Sequence, residues 1–178
     1  MKPIARLFRN ANQRDLIRDQ SGVAAVEFAL MSMVMFMMLS GAVDATQAVT
    51  IKRDLDRLTA EIAQSIAIAC KGASGCSISV MDAIRSRQAN IAPQLATVQL
   101  GMATFLKKNN RADDIVGTMT YLPTDMNTDA MARMAEGDRG VAVLATYTHA
   151  PIILGLADDW GFTTKNFRSA RVVISSRS

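Results

Sequence analysis

The 178-residue sequence predicts an α+β fold: a long N-terminal helix, transmembrane and then amphipathic, packed on a small antiparallel sheet head. Three observations predict it. Residues 23–43 form an apolar run interrupted by one charge. Apolar residues then recur at spacings of three and four as far as Ala69, the signature of a helix with one buried face. Beyond Pro93 that period gives way to short alternating, β-branched stretches separated by turn residues. A chain of this length, 49% hydrophobic, has room for one domain plus an anchoring segment.

The first segment, residues 1–22, is a basic leader in which Lys2, Arg6, Arg9, Arg14 and Arg18 stand against Asp15 and Asp19. Those five basic and two acidic side chains account for +3 of the net charge of +4, so the rest of the chain is nearly neutral. No nucleic-acid partner is expected, because such a partner needs a basic patch on a folded face. The second segment, residues 23–43, has Glu27 as its single charge. At about 1.5 Å per residue it covers roughly 30 Å, the thickness of a bilayer core. Positive charge is retained on the cytoplasmic side, so the leader is cytoplasmic and everything after Asp44 lies outside, in an oxidising compartment.

Two simpler readings compete for this segment. A cleaved secretory signal also has a basic start and an apolar core, and Ser40, Ala42 and Ala45 offer small residues for a signal peptidase. A buried core helix would also be apolar, although rarely on every side for so long. Neither explains Glu27. A carboxylate inside an apolar span costs about 2.5–3.5 kcal/mol on insertion scales, so one kept there marks a function.

The surrounding string is Ser21-Gly22-Val23-Ala24-Ala25-Val26-Glu27-Phe28. Placed behind a basic leader and at the start of a span, it resembles the processing site of type IV prepilins of the Flp/Tad class. The longer string SGVAAVEFAL, with its hydrophobic run, amphipathic continuation and small domain, is similar to the TadE-like minor pseudopilins of the Flp/Tad (tight adherence) type IV pilus family. TadF and TadG proteins share this N-terminal plan. The resemblance is concentrated in residues 15–70. It extends more faintly to Val141–Leu154, a strand leading into a Pro-containing turn, and to Ala170–Ser175, a closing strand.

The resemblance implies a pilin-like fold and a function in pilus assembly. A membrane aspartyl peptidase, the prepilin peptidase, would cut between Gly22 and Val23. The mature chain would then carry Glu27 at its fifth position, followed by the aromatic Phe28. Glu27 would meet the N-terminal amine of an adjacent subunit and set axial register between helices. The implied partners are the prepilin peptidase, other pilins and pseudopilins, the inner-membrane pilus machinery and the membrane itself. The implied location is the bacterial inner membrane, single pass, with the head periplasmic or carried into an extracellular pilus. The alternative is an uncleaved single-span protein whose head is a periplasmic binding module or part of a secretion complex.

The third segment, residues 44–70, continues the helix. Ala45, Ala48, Val49, Ile51, Leu55, Leu58, Ile62, Ile66 and Ala69 form its apolar stripe, with Gly41 a point where it can bend. The head, residues 71–178, begins within Cys70-Lys-Gly-Ala-Ser-Gly-Cys76, directly after Cys70. Two cysteines flanking a Gly-rich loop in an oxidising compartment suggest a disulfide. A zinc or redox pair would want C-x-x-C spacing and further ligands, and His149 is the one histidine.

A short helix is expected over Val80–Ala89, then strands over Leu95–Phe105, Asp114–Leu122, Gly140–His149 and Phe167–Ser175, packed with the amphipathic helix around one core. Lys107–Asn110, Pro123–Gly137 and Gly155–Thr164 separate them. Asp125, Asn127, Asp129 and Glu136 fall at positions 1, 3, 5 and 12 of a calcium-loop template. Ala130 replaces its turn glycine and Arg133 opposes a cation, so the favoured reading is a helix over Ala130–Ala135 capped by Thr128 or Asp129 and ended at Gly137. Asp158-Asp159-Trp160 reads as a surface turn or a contact point. There is no nucleophile elbow, phosphate loop or nucleophile–histidine string, so neither an enzyme nor a cofactor is expected.

Overall fold

The computed structural model describes residues 21–71, 76–151 and 164–176. The expected leader up to residue 20, the loop between the cysteines, the Pro-containing turn after Pro151 and the Asp158-Asp159-Trp160 turn lie outside the described residues. The chain divides into two compact units, Met1–Val43 and Asp44–Ser178.

Helix α1 runs without interruption over Ser21–Ala69, through Gly41. Its 49 residues correspond to about 73 Å of helix. In the first unit its side chains lie open: Phe28, Met31, Met35, Phe36 and Met38 are among the exposed large hydrophobics. The second unit comprises the rest of α1, then α2 (Ile78–Arg85), α3 (Gln88–Ile91), a 3-10 turn (Pro93–Leu95), β1 (Gln99–Lys108), β2 (Arg111–Gly117), α4 (Thr124–Arg133), β3 (Arg139–His149) and β4 (Lys165–Ser176). The strands form one antiparallel sheet in the order β2-β1-β3-β4.

The expected α+β architecture is present, with two cores where one was expected. On one face Leu55, Leu58, Ile62 and Ile66 of α1 pack with Leu100, Met102, Val141 and Val143. On the other, Met126, Ala130 and Met131 of α4 pack with Phe105 and Ala142. Strand side chains alternate between faces, so central strands covered on both sides carry near-continuous apolar runs such as Val141-Ala-Val-Leu-Ala145. The stripe of α1 is also rotated from the expected one. Thr59, Ala63 and Ala67 join the buried face, while Val49 and Ala69 lie outside it.

Other boundaries shift for local reasons. The expected helix over Val80–Ala89 is two short ones, α2 and α3. The strand expected from Leu95 begins at Gln99, because Pro93–Leu95 wind into the 3-10 turn and bury Leu95. The strand expected over Asp114–Leu122 is instead β2. Lys108 pairs with Arg111 across Asn109 and Asn110, whose φ of 52° and 57° make the tight hairpin turn that matches strand twist. Strand β2 stops at Gly117, where φ is 153° and a Cβ would lie 2.2 Å from the Met102 carbonyl oxygen. The helix expected over Ala130–Ala135 starts at Thr124, directly after Pro123, with Asp125 in its first turn facing the positive end of the dipole. It ends at Arg133 because Met134 is extended.

A polar seam crosses the first core. Thr59 Oγ1 lies 2.9 Å from Ser169 Oγ, which donates to Asp56 Oδ1 at 2.5 Å. Lys52 Nζ reaches the Asp56 carboxylate at 3.1 Å and donates to the Arg168 carbonyl at 2.8 Å. Burial pushes the Asp56 carboxyl up. The hydrogen bonds from Ser169 and Lys52, with the charges of Lys52 and Arg171, outweigh burial and hold it below its usual range.

Candidate functional site

The first candidate site is the exposed N-terminal part of α1. Among the described residues this is the one helix long and apolar enough to cross a membrane, with a mean hydropathy of 2.0 in its most apolar stretch and none of that stretch buried. It forms because the segment lacks proline and is rich in Ala, Leu and Met, which lose little freedom in a helix. Its open surface is far larger and more continuous than the scattered apolar residues of a water-facing helix, which fits a membrane-anchoring segment. Met31, Met33, Met35, Met37 and Met38 are unbranched and polarizable, and adapt to varied neighbours.

Glu27 is exposed on this surface and has no ion-pair or hydrogen-bond partner among the described residues. Val23 lies four residues earlier, on the same helical face, and Phe28 is 75% exposed. Gly22 is helical, and a Cβ there would meet nothing within 4 Å. Neither packing nor a left-handed backbone asks for glycine at 22, which costs about 1 kcal/mol of helix propensity relative to Ala. Its presence is unexplained by the fold.

In the second unit Cys70 and Cys76 are both buried and joined in a disulfide, with Cα atoms 5.2 Å apart. Asp125, Asn127 and Asp129 lie on α4, not in a loop. Arg168 pairs with Asp125 at 2.5 Å and Arg133 with Asp129 at 2.7 Å. The hydrogen bond from Arg168 holds the Asp125 carboxyl below its usual range. A helix spreads positions 1, 3 and 5 of the calcium template around its axis, so the calcium-loop alternative has no loop to stand on.

Sequence reasoning missed one feature. His149 is only 8% exposed and its Nε2 is buried without a hydrogen-bond partner among the described residues. Such an atom costs about 1–3 kcal/mol. His149 borders a cleft of about 550 Å³ between residues 46–51 of α1 and the end of β3. No local signal marks this cleft, because its walls are far apart in the chain.

The comparisons with known proteins bear on the first site. A family described as TadE-like protein matches residues 22–64, a stretch that begins at Gly22 and includes Val23, Glu27 and Phe28. This segment is therefore similar to TadE-like proteins of the Flp/Tad system. Neither the curated proteins nor the solved structures contain a significant match.

Proposed function

We propose that this protein is a membrane-anchored minor pseudopilin of the Flp/Tad type, acting by assembly and not by catalysis. The observation that carries the reading is Glu27: a carboxylate without a partner among the described residues, on an apolar helix whose side chains lie open. The match over residues 22–64 supports it. Lipid covers apolar surface but leaves a carboxylate unpaired, and unpaired charge at that depth is costly, so the partner of Glu27 belongs to another chain or to a new amine nearby.

Cleavage after Gly22 by a prepilin peptidase creates that amine on Val23. It lies on the same helical face as Glu27, available to it or to the Glu27 of a neighbouring subunit. Val23 onward then packs with other pilin helices at the bacterial inner membrane, and the periplasmic head presents a surface to the pilus machinery. Gly22, which the fold does not require, serves peptidase recognition in this reading.

Mass spectrometry of the protein purified from membranes of a Flp/Tad-bearing host tests the reading. A mature N-terminus at Val23 is expected. A start at Met1 would favour an uncleaved single-span protein with a periplasmic binding head, and a start near Val43 would sink the pilin reading altogether.

A further inference from the structure

Strand β3 runs past the start of β1: Gln99 pairs with Thr146, and β3 continues to His149. A cleft opens on each side of this overhang. On the α4 side of the sheet a cleft of about 400 Å³ is lined by Thr97, Gln99, Thr146, Thr148 and Asn166. On the α1 side lies the cleft of about 550 Å³ bordered by His149, where Thr46, Gln47 and Thr50 face Tyr147 and Thr148. The two meet at Thr148. Both volumes fall in the usual range of small-ligand sites, about 300–1,000 Å³.

None of the described residues lining either cleft is charged, in a chain with 20% charged residues. The α4-side wall is made of hydroxyls and amides, whereas the α1-side wall is mainly apolar. Thr148 Oγ1 donates to Asn166 Oδ1 at 2.8 Å, which fixes the Asn166 amide and leaves its two hydrogens without protein acceptors among the described residues. The Gln99 amide makes no hydrogen bond among the described residues. Gln94 donates to Asp54, so its carbonyl oxygen remains an acceptor at the rim. Arg168, opposite Thr146 on β4, is already held by Asp125. On the α1 side Tyr147, Ile51 and the threonine methyls add apolar wall.

We propose that the two clefts form one binding site for a neutral, hydroxyl-rich glycan that crosses the end of β1. Phosphate or an acidic peptide would need cations, and none lines the clefts among the described residues. No group of metal-ligating residues is present among the described residues. An acyl chain running through both clefts would leave the Gln99 and Asn166 amides of the α4-side wall without partners. Sugar hydroxyls each donate once and accept up to twice, so they can serve both the N–H and the C=O groups of the amides, while the C–H faces of the rings lie on Tyr147 and Ile51. This site lies apart from Glu27 and the exposed N-terminal part of α1, to which the assembly role is assigned.

The test uses the full chain in a detergent free of sugar headgroups. Side-chain amide NMR signals are followed during titration with a trimer of N-acetylglucosamine, with maltotriose and with a uronic acid trimer. Shifts at Gln99 and Asn166 with one or both neutral trimers are expected, and which of them binds separates an amino-sugar wall glycan from a hexose polysaccharide. Gln99→Ala and Asn166→Ala should each weaken binding by about threefold to tenfold, the loss of a neutral hydrogen bond, while exposed Gln64→Ala leaves it unchanged. The proposal is overturned if neither neutral trimer moves these signals, if the uronic acid trimer or a neutral tripeptide binds more tightly, or if both alanine variants bind as well as the parent.

Discussion

Lys107 is 8% exposed and donates from Nζ to the carbonyl oxygens of Met131 at 2.7 Å and Met134 at 2.8 Å. These carbonyls close the C-terminal end of α4, where a cation faces the negative end of the helix dipole. The lysine thus ties β1 to α4 across the second core. Its replacement by Met keeps the stem volume and leaves two carbonyls without their donor. Lys107→Met is expected to lower the unfolding free energy by about 1–3 kcal/mol, read from the urea midpoint at constant slope. An unchanged midpoint would mean that water serves those carbonyls equally well. The sequence offered no sign of this role, since a lysine before Asn-Asn reads only as the approach to a turn.

Among the elements, α1 is the one legible almost to the residue: a proline-free apolar run followed by a periodic stripe admits no other structure. Its C-terminal end is held by the Cys70–Cys76 disulfide, which directs the chain from α1 into α2. A loop this short yields about 2 kcal/mol in the chain-entropy account, and that loss is expected for the Cys70→Ser/Cys76→Ser double variant. Thiol labelling of the folded parent should fail until reductant is added; free labelling would remove the cross-link. The strands were legible by type but not by limits. Gly117 ends β2 because Met102 approaches its backbone, and the partner carbonyl is invisible from the residues around Gly117. Helix α4 was misplaced by several residues because Thr128 and Asp129 resemble caps, whereas Pro123 is what precedes the first turn.

For the whole molecule, the relevant contrast is between a unit that buries its apolar residues and a helix segment that exposes them. Glu27→Ala removes the costly charge from that segment, so membrane insertion should be unaffected. If the carboxylate pairs with a neighbouring subunit's amine, co-purification with partner pilins and piliation should fall at least about tenfold, the equivalent of one charge-assisted hydrogen bond. Equal recovery of partners from parent and variant would exclude the register role.

The amino-acid sequence by itself determined the helix, its apolar half, the lone carboxylate, the cysteine pair and the α+β class, because each depends on periodicity or composition within a short window. The tertiary structure decided that the sheet is covered on both faces, that Lys107 and the Asp56–Ser169–Thr59 seam join distant elements, and that neutral clefts meet at Thr148. Those features depend on residues far apart in the chain, and only the pairing of strands and the packing of helices brings them within a few ångströms.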